Sequence, residues 1–254
     1  MFFDFEARIV RQESCGVNFN AIIADRVGEL WYDTPPHRRL SLQEALELQL
    51  AVDRTAAADW KEMGILRDHV VRPGDRVIEC GCHHGLTTTM LAAWVGPKGH
   101  VQAFDAVLLN AAVARRNMEL NRIANASIYC AAIGGKRQIV NYYNESNVIV
   151  KKGSVAGPDS TVMIMLEDAI DGRADVLKLD VEGCELEILE SSQRLLADIP
   201  RLAIELHTDL LPPDGVDRVI ATLDSRRLHV LWEDGTFEPF AGQRISERVH
   251  LFAY

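Results

Sequence analysis

The sequence has few cysteines, no long apolar run and no excess of basic residues, and each shortage excludes a class of protein. Its five cysteines are scattered, and none forms a C-x-x-C pair, so neither a disulfide framework nor a zinc site is indicated. No run approaches the roughly 20 apolar residues that cross a bilayer. The formal net charge of −10 argues against a polyanionic partner, because nucleic-acid affinity comes mainly from clustered Lys and Arg. We therefore predict no membrane and no nucleic-acid partner.

The N-terminus also lacks the basic flank and apolar stretch of a secretory signal, so we expect a cytoplasmic protein. Of its 254 residues 48% are apolar, enough for a sizeable core. We divide the chain into an N-terminal extension, residues 1–70, that could form a lid, and a main domain, residues 71–254. In the extension we expect short strands near residues 7–10 and 29–32 and a helix over 41–66. The oligomeric state stays open, a homo-oligomer included.

The stretch from Gly74 to Gly85 predicts a strand, a tight loop and the start of a helix. Its glycines, Gly81 and Gly85, have the spacing G-x-x-x-G, whereas the dinucleotide fingerprint is G-x-G-x-x-G. Glu79 stands two residues before the first glycine. A helix N-terminus reserved for a pyrophosphate has no use for an adjacent carboxylate, but a ligand with ammonium and sulfonium centres does. The turn therefore favours S-adenosylmethionine, bound by Glu79, Gly81 and Gly85.

A second strand, residues 100–105, ends in Asp105, about twenty residues beyond the glycine turn, where doubly wound folds place a ribose-binding carboxylate. Ala106 follows it at the same edge. A third strand is predicted over residues 127–133, and its small residue Ala132 suits the approach of a flat base. We assign Asp105, Ala106 and Ala132 to the cofactor site.

Two later strands are predicted over residues 174–181 and 201–207. Their middles are nearly continuous hydrophobes, as in parallel strands buried on both faces, and they end at Asp180 and at Glu205 and His207. No helix separates residues 228–232 from 248–254, so these should pair antiparallel. The expected fold is α/β: a doubly wound, Rossmann-like, mostly parallel sheet with an antiparallel C-terminal strand.

The run Leu177–Glu187, Leu-Lys-Leu-Asp-Val-Glu-Gly-Cys-Glu-Leu-Glu, resembles the signature of the FkbM family of class I S-adenosylmethionine-dependent methyltransferases. The resemblance covers roughly residues 70–210, and its other segments are Gly96–Val101, Asn117–Asn121, Leu166–Asp168 and Ile204–His207. It implies that residues 71–254 form a methyltransferase domain with this cofactor, and that a hydroxyl on a natural product or sugar-like small molecule is methylated.

The sequence departs from the family's pattern at two places. The family usually has Gly-Ala-Asn at the glycine turn, where this chain has Cys82 and His83 after Gly81. The family's second strand usually ends in Glu-Pro, where this chain has Asp105 and Ala106. An aspartate still binds a ribose diol, and the resemblance places the His83 imidazole beside the methionine portion of the cofactor.

Methyl transfer to an alcohol needs alignment, exclusion of water and a group that takes the proton. We expect the catalytic residues Asp180, Glu205 and His207 at neighbouring strand ends, with Asp180 also near the cofactor, and His83 and His84 as further candidates for the base. We favour a metal-free site, although the three groups would also suit Mn²⁺. Two other functions remain open: an NAD-dependent oxidoreductase and a non-catalytic module that binds S-adenosylmethionine.

Overall fold

The computed structural model describes residues 8–23, 61–142, 159–223 and 226–254. The strands in these ranges are β1 (Arg8–Ser14), β2 (Val17–Ile23), β3 (Arg76–Cys80), β4 (His100–Asp105), β5 (Ala126–Cys130), β6 (Ala132–Gly134), β7 (Gln138–Tyr142), β8 (Asp159–Met165), β9 (Val176–Leu179), β10 (Arg201–Leu206), β11 (Leu228–Trp232), β12 (Phe237–Pro239) and β13 (Val249–Ala253). The helices are α1 (Leu86–Val95), α2 (Leu108–Leu120), α3 (Leu166–Ala169), α4 (Glu185–Ser191), α5 (Gln193–Asp198) and α6 (Gly215–Leu223). Residues 61–65 are also helical and run into a π-helical turn, Leu66–Val70. None of the described helices is long and apolar enough to cross a membrane.

The predicted doubly wound sheet is confirmed as an eight-stranded sheet with the order β12-β11-β13-β10-β9-β3-β4-β5. Strands β5, β4, β3, β9 and β10 are parallel. From β3 the chain proceeds outwards to β4 and β5 and then returns to β9 on the other side of β3. Ligands of open α/β sheets bind outside the carboxyl ends of the strands at such a reversal. The topology therefore places the site beyond the ends of β3, β4 and β9.

The sheet is covered on both faces, which explains the nearly unbroken apolar runs of its central strands. Ile78 and Leu177 belong to the core on one face, with helices α4 and α5. Val77 and Val176 belong to the core on the other face, with α1 and α2. Alternation of side chains along a strand thus supplies both cores from the same strands.

The predicted antiparallel pairing of the two C-terminal segments is confirmed, since β11 pairs with β13 from Leu228↔Ala253 to Trp232↔Val249. Strand β13 also pairs antiparallel with β10 and therefore lies inside the sheet. The edge is formed by β12, a short strand that the sequence did not predict, which pairs with β11.

The single third strand predicted over residues 127–133 is wrong, because the chain leaves the main sheet at Ala131. The amide of Ala131 donates to the Asp105 carbonyl oxygen at 2.9 Å, and β6 then pairs with β8 in a separate three-stranded sheet of order β6-β8-β7. Strands β7 and β8 complete this small sheet, and residues 143–158 between them lie outside the described ranges.

The helical segment after β9 is divided into α4 and α5, with Ser192 between them. Of the predicted N-terminal elements, residues 8–10 form part of β1. The strand at 29–32 and residues 41–60 of the predicted helix lie outside the described ranges.

The hairpin of β1 and β2 packs against the main domain. Asn117 on α2 accepts from the Ile22 amide at 2.6 Å, and Asn121 accepts from the Asn20 amide at 2.7 Å. Phe19 is buried in the core formed with α1 and α2. Residues 8–23 of the extension thus belong structurally to the outer side of the α1–α2 layer.

A buried ion pair joins the amino ends of β3 and β10. Two nitrogens of the Arg201 guanidinium donate to the two Asp75 oxygens at 2.6 and 2.8 Å, and Arg201 Nη1 also donates to the Val70 carbonyl at 2.5 Å. Both side chains are less than a tenth exposed. Removing one partner of such a pair leaves an uncompensated buried charge.

We expect Arg201→Met to lower the free energy of unfolding by about 3–5 kcal/mol, since Asp75 then stays buried without its counter-ion. Arg194→Met, at an exposed position of α5, is the matched control and should change it by less than about 0.5 kcal/mol. Denaturant unfolding followed by circular dichroism measures both. Equal stability of the two variants would contradict the assigned role of the ion pair.

Candidate functional site

A crevice lies outside the carboxyl ends of the strands, where the order of the sheet reverses. Its empty volume is about 680 Å³, a figure that includes open solvent at its mouth. Its walls come from the ends of β3, β4 and β9 and from the segment leading into β6. The described lining residues are Gly81, His83, Phe104, Asp105, Ala106, Val107, Asn110, Ala131, Ala132, Ile133, Asp180, Val181, Glu182 and Cys184.

Gly81 brings the end of β3 against the end of β9. Its φ is +86°, in the left-handed region that favours glycine. A Cβ atom built on it would lie 1.7 Å from the carbonyl oxygen of Asp180. The amides of Gly81 and Cys82 both donate to the Phe104 carbonyl at the end of β4, at 2.8 and 3.0 Å. This glycine therefore allows three strand ends to converge on the crevice.

Gly85 lies where α1 packs against α2. It is the N-cap of α1, with φ +79°, and a Cβ atom on it would lie 3.1 Å from Ala114 Cβ and 3.2 Å from Met118 Cε. It does not belong to the described lining of the crevice. A glycine at this position thus allows α1 and α2 to pack closely, and its contact with the cofactor stays a prediction.

Asp105 is held rigidly at the end of β4. One carboxylate oxygen accepts from the His83 amide at 2.8 Å, and the other accepts from the Val107 amide at 2.9 Å and from Asn110 Nδ2 at 3.2 Å. Burial raises the pKa of Asp105 to about 6, although these hydrogen bonds oppose the shift. Only 8% of the residue is exposed, and it lines the crevice.

Two residues that line the crevice have a left-handed backbone without being glycine: His83, with φ +46°, and Glu182, with φ +50°. Such conformations cost energy and cluster at functional sites. The His83 ring stacks on the His84 ring with centroids 3.9 Å apart. Because His84 is fully buried, this stacking fixes the His83 ring at the wall of the crevice.

Glu79 does not line the crevice, contrary to expectation. It is fully buried within β3, and its Oε2 accepts from Thr88 Oγ1 at 2.5 Å. Burial raises the pKa of Glu79 to about 7, against the lowering effect of the nearby Lys178 ammonium. The inward direction of the side chain follows from strand alternation, which the two-residue spacing to Gly81 could not fix.

Lys178, buried in the middle of β9, lies behind the crevice wall. Its Nζ is 3.5 Å from Asp180 Oδ2 and 3.7 Å from Glu62 Oε1 on the helical segment 61–65. Burial alone would raise the pKa of Asp180, but the charges of Lys178 and then His207 outweigh it and hold that pKa below its usual value. Asp180 is therefore ionised at neutral pH.

The predicted catalytic residues Asp180, Glu205 and His207 do come together at the ends of β9 and β10. His207 Nε2 is 3.6 Å from Glu205 Oε1 and 3.9 Å from Asp180 Oδ1. The same atom is 3.4 Å from Glu182 Oε2, and Nδ1 is 2.7 Å from Glu185 Oε1. Burial lowers the pKa of His207, but the hydrogen bond to Glu185 and the surrounding carboxylates raise it to about 9.

The crevice thus brings together most residues proposed from the sequence. Of the predicted cofactor residues it is lined by Gly81, His83, Asp105, Ala106, Ala132 and Asp180. Four other predicted site residues are not among its described lining residues: Glu79, Gly85, Glu205 and His207. Sequence reasoning missed Glu182 and Glu185 as site residues, although both stand in the Leu177–Glu187 run. It also missed Lys178, because a lysine within an apolar run carries no signal of its partners.

Comparison with known proteins gives a family match. The model of the Methyltransferase FkbM domain matches residues 79–227, more than half of the chain, and this range includes the glycine turn and the carboxyl ends of β4, β9 and β10. The FkbM methyltransferase from Methylobacillus flagellatus KT is similar in structure, with a TM-score of 0.50 and 17% identity over 83% of this chain and 57% of that one. At this identity the likeness concerns the fold.

Other similar proteins are named as RNA methyltransferases. The ribosomal RNA large subunit methyltransferase E of Acidithiobacillus ferrooxidans is 22% identical over 59% of this chain and 52% of its own. The chain thus spans about half the length of the curated relatives it matches. An rRNA methylase from Streptococcus thermophilus has a TM-score of 0.47 and 14% identity, covering 77% of this chain and 94% of that one.

Proposed function

Because the chain belongs to the FkbM family of S-adenosylmethionine-dependent methyltransferases, we propose that it transfers a methyl group to a hydroxyl oxygen of a small molecule. One observation carries the proposal: the Asp105 carboxylate and two carboxylates close to His207 line the same crevice. The two carboxylates, of Asp180 and Glu182, belong to the cluster around His207, and Gly81 also lines this crevice.

The crevice fits the cofactor by its chemistry. At the end of β4 a rigid carboxylate, Asp105, suits two ribose hydroxyls, and the apolar residues Val107 and Ile133 suit the faces of a base. On the other side of Gly81, the carboxylates of Asp180 and Glu182 suit a ligand with cationic centres. The cofactor supplies a methyl group on a positively charged sulfur.

The cluster residues would act on the acceptor. The ionised Asp180 carboxylate, at the crevice wall, accepts a hydrogen bond from the incoming hydroxyl and orients its oxygen. His207 and Glu205 lie directly behind it and fix the charge distribution around that position. An acidic wall also disfavours phosphate-rich acceptors, in line with the net charge of −10. These features favour a small hydroxylated acceptor over a nucleic acid.

The proposal is tested by incubating the purified chain with deuteromethyl-labelled S-adenosylmethionine and three matched acceptor panels: hydroxylated small molecules, small amines and ribosomal RNA. We expect S-adenosylhomocysteine to form with at least one hydroxylated acceptor, and the label to appear on its oxygen by mass spectrometry. Labelling confined to amines or to RNA would overturn the acceptor class. No turnover with any panel, despite bound cofactor, would favour a non-catalytic module.

We also expect cofactor affinity to depend on the charge of Asp105. Because its pKa is raised to about 6, the carboxylate is protonated below that pH and ionised above it. Binding of S-adenosylhomocysteine should therefore strengthen as the pH rises from 5 to 7. Asp105→Ala removes an acceptor whose hydrogen bonds are worth about 1.5–3 kcal/mol each, so affinity should fall at least about tenfold at pH 7.5.

Titration calorimetry across this pH range measures both effects. The matched control is Asp105→Asn, which keeps the size of the side chain and cannot ionise, so the step near pH 6 should disappear in it. An unchanged affinity in Asp105→Ala would show that the ribose assignment is wrong. Tight binding of NAD to the wild type would point instead to the oxidoreductase alternative.

A further inference from the structure

We propose that Asp180, Glu205 and His207 bind a divalent metal ion beside the part of the crevice where Asp180 would orient the acceptor hydroxyl. The role of this ion in methyl transfer rests on the proposed function. One ligand atom from each of the three residues lies within 4.8 Å of the other two. Two ligand atoms bound at about 2.0–2.2 Å to one ion are separated by roughly 3–4.4 Å. The distances of 3.6 and 3.9 Å from His207 Nε2 to Glu205 and Asp180 fall in this interval.

The orientation of His207 distinguishes this site from a simple cluster of acidic side chains. The residue is only 1% exposed, and within the described ranges its Nε2 atom makes no hydrogen bond. Its nearest carboxylate oxygen, on Glu182, is 3.4 Å away, beyond a good hydrogen bond. A buried ring nitrogen directed at several carboxylates, without a close hydrogen bond to any of them, can bind an ion there once its proton has been released to solvent.

Glu185 is the hydrogen-bond partner that a metal-binding histidine has on its other ring nitrogen. Its Oε1 lies 2.7 Å from His207 Nδ1, and Glu185 is itself fully buried. Histidines that bind metals nearly always donate their other ring N–H to a carboxylate or carbonyl, which fixes the ring and leaves the far nitrogen for the ion. This contact was not foreseeable from the sequence, where a metal-free site was favoured. It is the reason for preferring the metal-bound alternative here.

The charges around the cluster also leave room for a cation. Lys178 Nζ is 3.5 Å from one oxygen of Asp180, Oδ2, whereas His207 Nε2 is 3.9 Å from the other oxygen, Oδ1. Arg248 donates to Glu205 Oε1 at 3.2 Å. The carboxylates of Glu62, Asp180, Glu182, Glu185 and Glu205 surround these cations, and the His250 ring, 3.7 Å from Glu62 Oε1, is a further basic group. A divalent ion that replaces the proton of His207 Nε2 adds positive charge among these carboxylates.

Two carboxylate oxygens and one imidazole nitrogen suit Mn²⁺ better than Mg²⁺, which prefers oxygen ligands. Because Asp180 lines the crevice, an acceptor hydroxyl would reach the ion there as a further ligand. Coordination lowers the pKa of a bound hydroxyl, and its proton then leaves to water. The metal would thus prepare the acceptor oxygen for methylation.

The test measures Mn²⁺ binding to the intact chain after dialysis against a chelator, by the loss of the paramagnetic resonance signal of free Mn²⁺. Neither cofactor nor acceptor is present, so its outcome is independent of the proposed function. We expect one ion per chain, with affinity at least tenfold weaker in Glu205→Gln and His207→Gln and 10–100-fold weaker in Glu185→Gln. The surface variant Glu119→Gln should bind as the wild type does.

Melting temperatures show whether each variant is folded. If a variant of the buried residues Glu205 or His207 does not fold, Asp180→Asn still tests the site, because the Asp180 side chain is 30% exposed. Equal Mn²⁺ binding in wild type, Asp180→Asn and Glu205→Gln would show an adventitious ion only and overturn the proposal, as would no binding at all. Once an acceptor is found, chelation should abolish turnover and Mn²⁺ should restore it. Undiminished turnover in chelator would also overturn it.

Discussion

The Asp180→Asn variant should methylate its acceptor at least about 100-fold more slowly than the wild type, while its fold stays close to normal. Asparagine keeps the shape of the side chain and removes its charge. In the wild type that charge is maintained by Lys178, 3.5 Å from Oδ2, and faces the crevice. Loss of a group that orients or deprotonates an acceptor costs about 10² to 10⁴ in rate.

The expectation depends only on the negative charge at Asp180 and not on the proposed cation. Single-turnover kinetics with saturating acceptor measure the rate of methyl transfer. Asp168→Asn is the control, because it makes the same change at an exposed carboxylate that is paired with Arg137. Full turnover in each of the three single variants Asp180→Asn, Glu205→Gln and His207→Ala would exclude these three residues from the reaction.

Gly81→Ala should also lower turnover by about 100-fold or more and weaken cofactor binding. The new Cβ would lie 1.7 Å from the Asp180 carbonyl oxygen, so the ends of β3 and β9 must separate. A misplacement of about 1 Å at reacting groups can cost 10²-fold. The substitution therefore acts on both halves of the crevice at once.

Gly172→Ala is the matched control for Gly81→Ala. Gly172 has a similar φ of +84°, but nothing lies within 4 Å of an added Cβ. The control should therefore show only the small stability cost of a left-handed alanine, about 1–2 kcal/mol, with normal kinetics. Equal kinetics in the two variants would contradict the assigned close approach of Gly81 and Asp180.

The fold was largely predictable because its signals are local and repeated. Apolar strands that end in acids or glycines predicted the positions of β3, β4, β9 and β10, and the missing final helix predicted the antiparallel pair. The departure of β6 from the main sheet was not predictable, because β5 and β6 form one continuous β-like run in sequence. It depends on pairing with β8, about thirty residues away in the chain.

The site was predictable to the level of strand ends, but not to the level of side-chain direction. Asp105 and Asp180 follow strands at the carboxyl edge and line the crevice as expected. Glu79 belongs to the same turn and points into the core, where Thr88 binds it. Glu185 was missed because its contact with His207 joins the start of α4 to the end of β10, a distance of 22 residues in sequence.

The division of the chain at residue 70 remains a proposal. The described hairpin, residues 8–23, is packed on α2 through Asn117 and Asn121. Residues 61–65, also within the extension, bring Glu62 to Lys178 behind the crevice. We propose that this part of the extension supports the crevice wall from behind.

The most direct measurement is a crystal structure of the chain with S-adenosylhomocysteine bound. It should show the ribose hydroxyls within hydrogen-bond distance of the Asp105 carboxylate, the base between Val107 and Ile133, and the sulfur on the side of Gly81 that faces Asp180. A ligand bound outside this crevice, or one whose ribose does not contact Asp105, would contradict the assignment of the crevice as the methyl-transfer site.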